Sequence, residues 1–446
     1  MASTTVSGPP GSMAATPKTR KKGRGGGNNS TQKGSVKSTD IRNVAVVGLN
    51  LEDVYISLVT TSTSSSSSQK IRHGPFVTVF SHPPPARGVI NNSNFCFINA
   101  ILQALVFTPP FAQLAVSAIS VSEMCPLLST LGKWFLSYWT KPAMQSIAPP
   151  RLSVMTNTPT TSSSSSTHLG VRRMDGTMQE DAPEFLHRIL ETIRSELCGL
   201  EQHCRDSGLC ETDKYSLCTD SVDTKGWTFV KGKEKLSVRE HSEEGRSILF
   251  DSLFGGTLES HLKGKSKTKN FASVVVESFF VLQIDVCFGA DCSLEVALER
   301  TLQTERVHDD AREKDLLKTL KLRQLPNVLF LQLRRWAVTA EGEYVKLDNI
   351  VRFSKTLVLP KSTCSDATLS NSLRTYDLVS FIAHRGRATE RGHYVTYLTN
   401  AATPGVRTEG GNDLLTLCND AKITTVTMRE ALETEAVYFL VYMRRR

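Results

Sequence analysis

The spacing of apolar residues changes along this chain, and that change limits the fold more than any other feature. In LLSTLGKWFLSYW (127–139) and EFLHRILETIRSEL (184–197) apolar residues recur every three or four positions, which gathers them on one face of a helix. From residue 273 the pattern becomes that of strands. SVVVESFFVLQIDV (273–286), NVLFLQLRRW (327–336), YDLVSFIAH (376–384), HYVTYL (393–398) and AVYFLVYM (436–443) carry the β-branched and aromatic residues of a sheet. Helices first and antiparallel strands later predict an α+β fold.

The organised pattern begins after Pro85. Residues 1–86 read as a disordered, basic, Ser/Gly/Pro-rich arm, because the first 40 residues contain no aromatic side chain to offset the entropy of ordering them. Within the arm, DIRNVAVVGLNLEDVYISLV (41–60) is either a peptide that docks by strand addition, giving an adaptor a handle, or a locally apolar piece of the same arm. Residues 87–446 read as one globular domain with insertions near 156–168 and 199–244, both expected to be surface loops.

The net charge of +9 suggests nucleic acid as a partner, but seven Lys and Arg against one Asp in residues 1–40 supply +6 of it. The remaining +3 does not make a basic face, so KTRKKGR (18–24) is read as a solvated charge run. Ten scattered Cys and a first stretch without the apolar core of a signal peptide predict reduced thiols, in the cytoplasm or also the nucleus. No run approaches the ~20 apolar residues that span a bilayer.

RGVINNSNFCFINAILQAL (87–105) carries the chemistry. Asn91, Asn92, Ser93 and Asn94 are turn and cap residues, and Ile98, Ile101, Leu102 and Leu105 then follow at helical spacing, so Cys96 falls in the first turn of a buried helix. There the helix dipole and the end-turn N–H groups favour a thiolate. A free Cys is also a good small core residue, and position alone leaves both readings open. A thiol nucleophile needs a base and the base an orienting group. His393 in GHYVTYL opens a strand after a polar loop, and Asn419 or Asp420 in LLTLCNDAKITTV ends another strand with a side chain able to hold an imidazole.

Together these segments resemble the ubiquitin-specific proteases. GVINNSNFCFINAILQAL is similar to that family's cysteine box, with Gly88, Asn91, Asn94, Cys96, Asn99, Leu102 and Gln103 in place. MQEDAPEFL (178–186) is similar to its Q-x-D-A-x-E-F helix start, LPNVLFLQLRRW to its palm strand, GHYVTY to its histidine box and AVYFLVYMRR to its terminal strand. The resemblance implies a papain-like cysteine protease fold with helical thumb, β-sheet palm and β fingers. It implies a deubiquitinating thiol protease acting after the C-terminal glycine of ubiquitin on modified proteins. Its roles fall on Cys96 as nucleophile, His393 as base, Asn419 as orienter with Asp420 as the alternative, and Asn91 as oxyanion donor beside the Cys96 N–H. Gln179, Asp181 and Glu184 become candidates to bind ubiquitin's arginine-bearing tail, although acidic residues there also suit a helix N-terminus.

Two departures matter. Many relatives hold a structural zinc on two C-x-x-C pairs. Here Cys287 and Cys292 have four residues between them, and Cys204, Cys210 and Cys218 stand at spacings of six and eight, so no metal and no cofactor is expected. Trp336 replaces the palm strand's Phe and is expected to be a volume change in the core.

Overall fold

The computed structural model describes residues 85–141, 145–152, 180–206, 227–231, 236–241, 246–265, 270–287, 289–309, 314–339, 341–386, 392–399, 413–434 and 436–445. The expected arm lies outside these apart from Pro85 and Ala86, and so do the insertion near 156–168 and Gln179. Four helices come first, α1 (Cys96–Val106), α2 (Pro109–Ser117), α3 (Pro126–Thr140) and α4 (Ala182–Asp206), and α5 (Ile248–Phe254) follows the first two strands. Helix α6 (Leu294–Leu302) follows later in the chain.

The strands form two large sheets. A six-stranded sheet, the fingers, runs in the order β1 (Trp227–Lys231), β2 (Leu236–His241), β4 (Asn270–Phe279), β3 (Gly256–Lys265), β8 (Lys314–Gln324), β7 (Glu305–Asp309). The palm runs β17 (Lys422–Thr427), β16 (Leu414–Asn419), β15 (His393–Leu398), β14 (Thr375–Arg385), β18 (Ala436–Arg444), β9 (Val328–Arg334), β5 (Val281–Asp285), with β13 (Thr356–Val358) also on β14. Two small pairs complete it: β10 (Trp336–Val338) with β11 (Tyr344–Lys346), and β6 (Cys292–Ser293) with β12 (Val351–Arg352).

The central palm strands β9, β14, β15 and β18 are buried on both faces, which is why they read as near-continuous apolar runs rather than alternating ones. Val328, Phe330, Phe439 and Val441 face the helical thumb, while Leu329, Leu331, Leu440 and Tyr442 face a second core under α6. Among the described residues no single helix is long and apolar enough to cross a membrane.

Helix α4 ties the thumb together with two carboxylates. Glu196 accepts from the N–H groups of Leu127 (2.7 Å) and Leu128 (3.1 Å) at the start of α3. Glu201, buried, accepts from Ser247 Oγ (2.7 Å) and from the N–H groups of Ile248 and Leu249 (3.0 Å each) at the start of α5. Each satisfies helix-end donors that would otherwise be buried without a partner.

Three expectations are corrected. The helix expected over 184–197 continues to Asp206, so the segment from 199 does not begin as a surface loop, and it also contains β1 and β2. Leu200 and Cys204 extend the buried stripe of α4, and Gly199 faces open space where it breaks nothing. Cys204 is therefore a helical core residue, whereas its neighbour His203 is exposed. The strand expected over 273–286 is two strands in different sheets, β4 in the fingers and β5 in the palm, divided at Phe280. Phe280 is gripped at the changeover by His187, stacked at 4.7 Å, and by Phe250 edge-on at 5.6 Å. Trp336 is not in the core: it is 52% exposed on the β10–β11 hairpin, beside Tyr344.

Candidate active site

Helix α1 is buried along its whole length against the inner face of the palm, and Cys96 is its first residue, 4% exposed. The turn before it is shaped by Asn91, whose Oδ1 accepts from the N–H groups of Ser93 (3.2 Å) and Phe95 (3.3 Å). Thr396 Oγ1, on the histidine's strand, donates to Ala100 O at 2.8 Å and sews β15 to α1.

His393 begins β15, and the register that sets Thr396 opposite Cys418 brings it level with the turn at Asp420 and Ala421. Its imidazole is hydrogen-bonded to the Cys96 thiol group. On its other side Nε2 meets Asn419 Oδ1 at 2.7 Å and stands 3.8 Å from Asp420 Oδ2. The imidazole pKa is raised to about 9, first by the hydrogen bond to Cys96, against burial, then by Asn419 and by the charges of Cys96 and Asp420. Such an imidazole holds a proton at neutral pH and can pass it on.

Asp420 is the hub of the far side. Its backbone is left-handed, φ 48°, unlike that of any other described non-glycine residue. Its Oδ2 accepts from Asn91 Nδ2 at 3.0 Å and its Oδ1 from Asn99 Nδ2 at 2.8 Å. Cys96, His393, Asn419, Asp420 and Asn91 thus form one cluster, although they come from three separate parts of the chain.

The expected tail-binding residues are spread more widely. Asp181 precedes α4, accepts from the Glu184 N–H at 3.0 Å and from the hydroxyl of Tyr394, the residue after His393, at 3.3 Å. Burial raises its carboxyl pKa. Glu184 is exposed one turn along and is not part of the cluster.

Sequence reasoning gave no role to Asn99, Gln103 or His384. Asn99 and Gln103 stand four apart on an apolar helix, and both amides are buried: Gln103 Nε2 donates to Arg87 O at 3.1 Å, as Asn99 does to Asp420. Two amides at helical spacing in such a run are a readable signal, since burial without partners is costly. His384 lies opposite Tyr394 on β14, nearly fully buried, and its pKa falls to about 4, first through burial, then through Lys346 and His393. It stays neutral beside the protonated His393.

A family model described as ubiquitin carboxyl-terminal hydrolase matches residues 87–442. "Ubiquitin carboxyl-terminal hydrolase 24" of Arabidopsis thaliana is 29% identical over 403 residues, covering 85% of this chain and 69% of that protein. "Probable ubiquitin carboxyl-terminal hydrolase 3" of Schizosaccharomyces pombe is 28% identical, covering 70% and 64%. "Ubiquitin carboxyl-terminal hydrolase 10" of Xenopus tropicalis is 25% identical, covering 70% and 42%, so this chain spans less than half of that relative. Among solved structures, the yeast Ubp8–Sgf11–Sgf73–Sus1 SAGA deubiquitinating module contains a chain with a TM-score of 0.52 at 20% identity, covering 92% of this chain and 76% of that one. The same module bound to ubiquitin aldehyde gives 0.51 at 19%, covering 89% and 75%. At these identities the two structures speak for the fold.

Proposed function

The chain belongs to the ubiquitin carboxyl-terminal hydrolase family, and on that premise we propose that it is a thiol-dependent deubiquitinase with Cys96 as nucleophile, His393 as base and Asn419 as orienter. The observation that carries the residue assignment is the double engagement of His393, with Cys96 on one side and Asn419 Oδ1 at 2.7 Å on the other.

The chemistry follows from that geometry. The proton that leaves the thiol is the one the His393 imidazole holds, and the Cys96 sulfur, beside that imidazolium, attacks the carbonyl carbon of ubiquitin's terminal glycine. The resulting oxyanion is met by the Cys96 N–H and the Asn91 amide, which Asp420 holds in place at 3.0 Å. The imidazolium gives its proton to the departing lysine amine as the C–N bond breaks, leaving a thioester. Water, deprotonated by His393, then releases ubiquitin and restores the thiol. Asp181, beside Tyr394, and the exposed Glu184 supply negative charge where the arginine-bearing tail approaches.

The test is adduct formation. Ubiquitin with a C-terminal electrophile should react with the folded chain and leave Cys96→Ala untouched; a folded wild type that forms no adduct at high probe concentration overturns the reading. Recruitment of an adaptor by residues 1–86 and a cytoplasmic or nuclear location belong to the same proposal, tested by co-purification and imaging with and without those residues.

A further inference from the structure

Residues 88–90 form a short strap between the site's two halves. An ideal Cβ on Gly88 would lie 2.2 Å from Ala421 O and 2.6 Å from Ala421 C and Cα. All three are backbone atoms, so no rotamer change makes room. Next along the strap, the Val89 N–H donates to Asp420 O at 2.9 Å. Asn99 binds both sides of the seam: the amide that holds Asp420 Oδ1 also reaches Val89 O (3.4 Å) and Ile90 O (3.5 Å).

The strap cannot retreat, because it is braced from behind. Ile90 N–H donates to Ile147 O (2.8 Å) and Ile147 N–H to Gly88 O (3.0 Å), and Ile147 is buried. An added Cβ therefore displaces the 420–421 turn rather than the strap. Restoring ordinary van der Waals contact requires a shift of about 1 Å, enough to stretch hydrogen bonds of normal length beyond effective range. Asp420 would then lose Asn91, Asn99 and its station 3.8 Å from His393 together.

We propose that Gly88 is a positioning residue for the reaction: its missing side chain lets the Asp420 turn press against the nucleophile's entry strap, and so aims Asp420 at Asn91 and His393. This rests on the deubiquitinase reading above. Asn99 is the second tie in the same device, and both act through Asp420.

The test is a double-mutant cycle on the full chain, with kcat and KM for a fluorogenic amide of ubiquitin. Gly88→Ala should lower kcat by about 10- to 100-fold, as misplacement by about 1 Å does, with KM within about twofold. In an Asp420→Ala background the same change should cost no more than about threefold further, since residues acting through one group are not additive. Gly132→Ala is the matched control: its Cβ would lie 2.1 Å from Ala115 O in the packing of α2 against α3, away from the site. It should lower melting temperature and leave kcat per folded molecule unchanged. A Gly88→Ala enzyme that behaves like Gly132→Ala, or whose loss multiplies in full with that of Asp420→Ala, overturns the proposal. If Gly88→Ala does not fold, Asn99→Ala removes the second tie without adding atoms; it must lower kcat and show the same non-additivity, and unchanged kcat overturns the proposal. Failure of the wild type to react with the ubiquitin probe would instead sink the functional reading, whereas a reactive wild type with an insensitive strap sinks the positioning role alone.

Discussion

Asn419 and Asp420 both face His393 Nε2, at 2.7 and 3.8 Å, and replacing Asn419 by Ala separates their shares. The change removes a hydrogen bond to an imidazolium, a contribution of about 1.5–3 kcal/mol. Asp420 offsets part of this. At 3.8 Å an unscreened pair at an effective dielectric of 20 would give ~4 kcal/mol, but the His393 side chain is 34% exposed and Asp420 is shared with Asn91 and Asn99, so ~1 kcal/mol is the realistic remainder. Asn419→Ala should therefore lower kcat by about 10-fold, at 1.4 kcal/mol per factor of ten, with KM little changed. The pH profile supplies an independent check. His393 titrates at about 9 with Asn419 among the groups that raise it, and its protonated form is needed to expel the amine. Activity is thus lost as pH rises through that value, and the alkaline limb should move down in Asn419→Ala and up in Asn419→Asp. Steady-state kinetics on the fluorogenic ubiquitin amide across the alkaline range measures both. Wild-type kcat with an unmoved limb in Asn419→Ala would refute the assignment and leave Asp420 as orienter.

Two further predictions concern stability. Glu201→Ala strips the cap from α5 and leaves Ser247 Oγ and two N–H groups without their acceptor, and should cost about 3 kcal/mol in denaturant unfolding; Glu201→Gln, keeping one acceptor oxygen, should cost about half that. His384 has a folded pKa of about 4 against an ordinary 6.5, so the folded protein binds fewer protons there than the unfolded chain; stability should fall as pH drops from 6.5 towards 4, and His384→Phe should flatten that decline in thermal melts.

Much of the fold was legible because periodicity reports burial directly. The strand HYVTYL is β15 residue for residue, and the apolar runs 376–384 and 436–443 differ from β14 and β18 only at their ends. Periodicity fails where one strand passes from sheet to sheet. Nothing local in SVVVESFFVLQIDV marks Phe280 as the joint, since its grip comes from His187 and Phe250 on other elements. Trp336 was misplaced for a related reason: an aromatic residue after a buried strand looks like core until the chain is seen to leave the sheet at Arg335, whose guanidinium turns inward to Val437 O, Leu347 O and Asn349 O. In the site, the residue types and cap pattern singled out Cys96 and His393. The hub role of Asp420 was hidden, because it depends on a left-handed turn and on amides more than 300 positions away.

The strand that completes the palm follows every other palm strand in the chain. β18, Ala436–Arg444, lies between β14 and β9 rather than at an edge, so β14 lacks its partner on that side until these residues leave the ribosome. β14 in turn carries β15 and with it His393. A chain that carries Cys96 but stops before β18 therefore lacks the pairing that holds β14, and through it β15 and His393, in register.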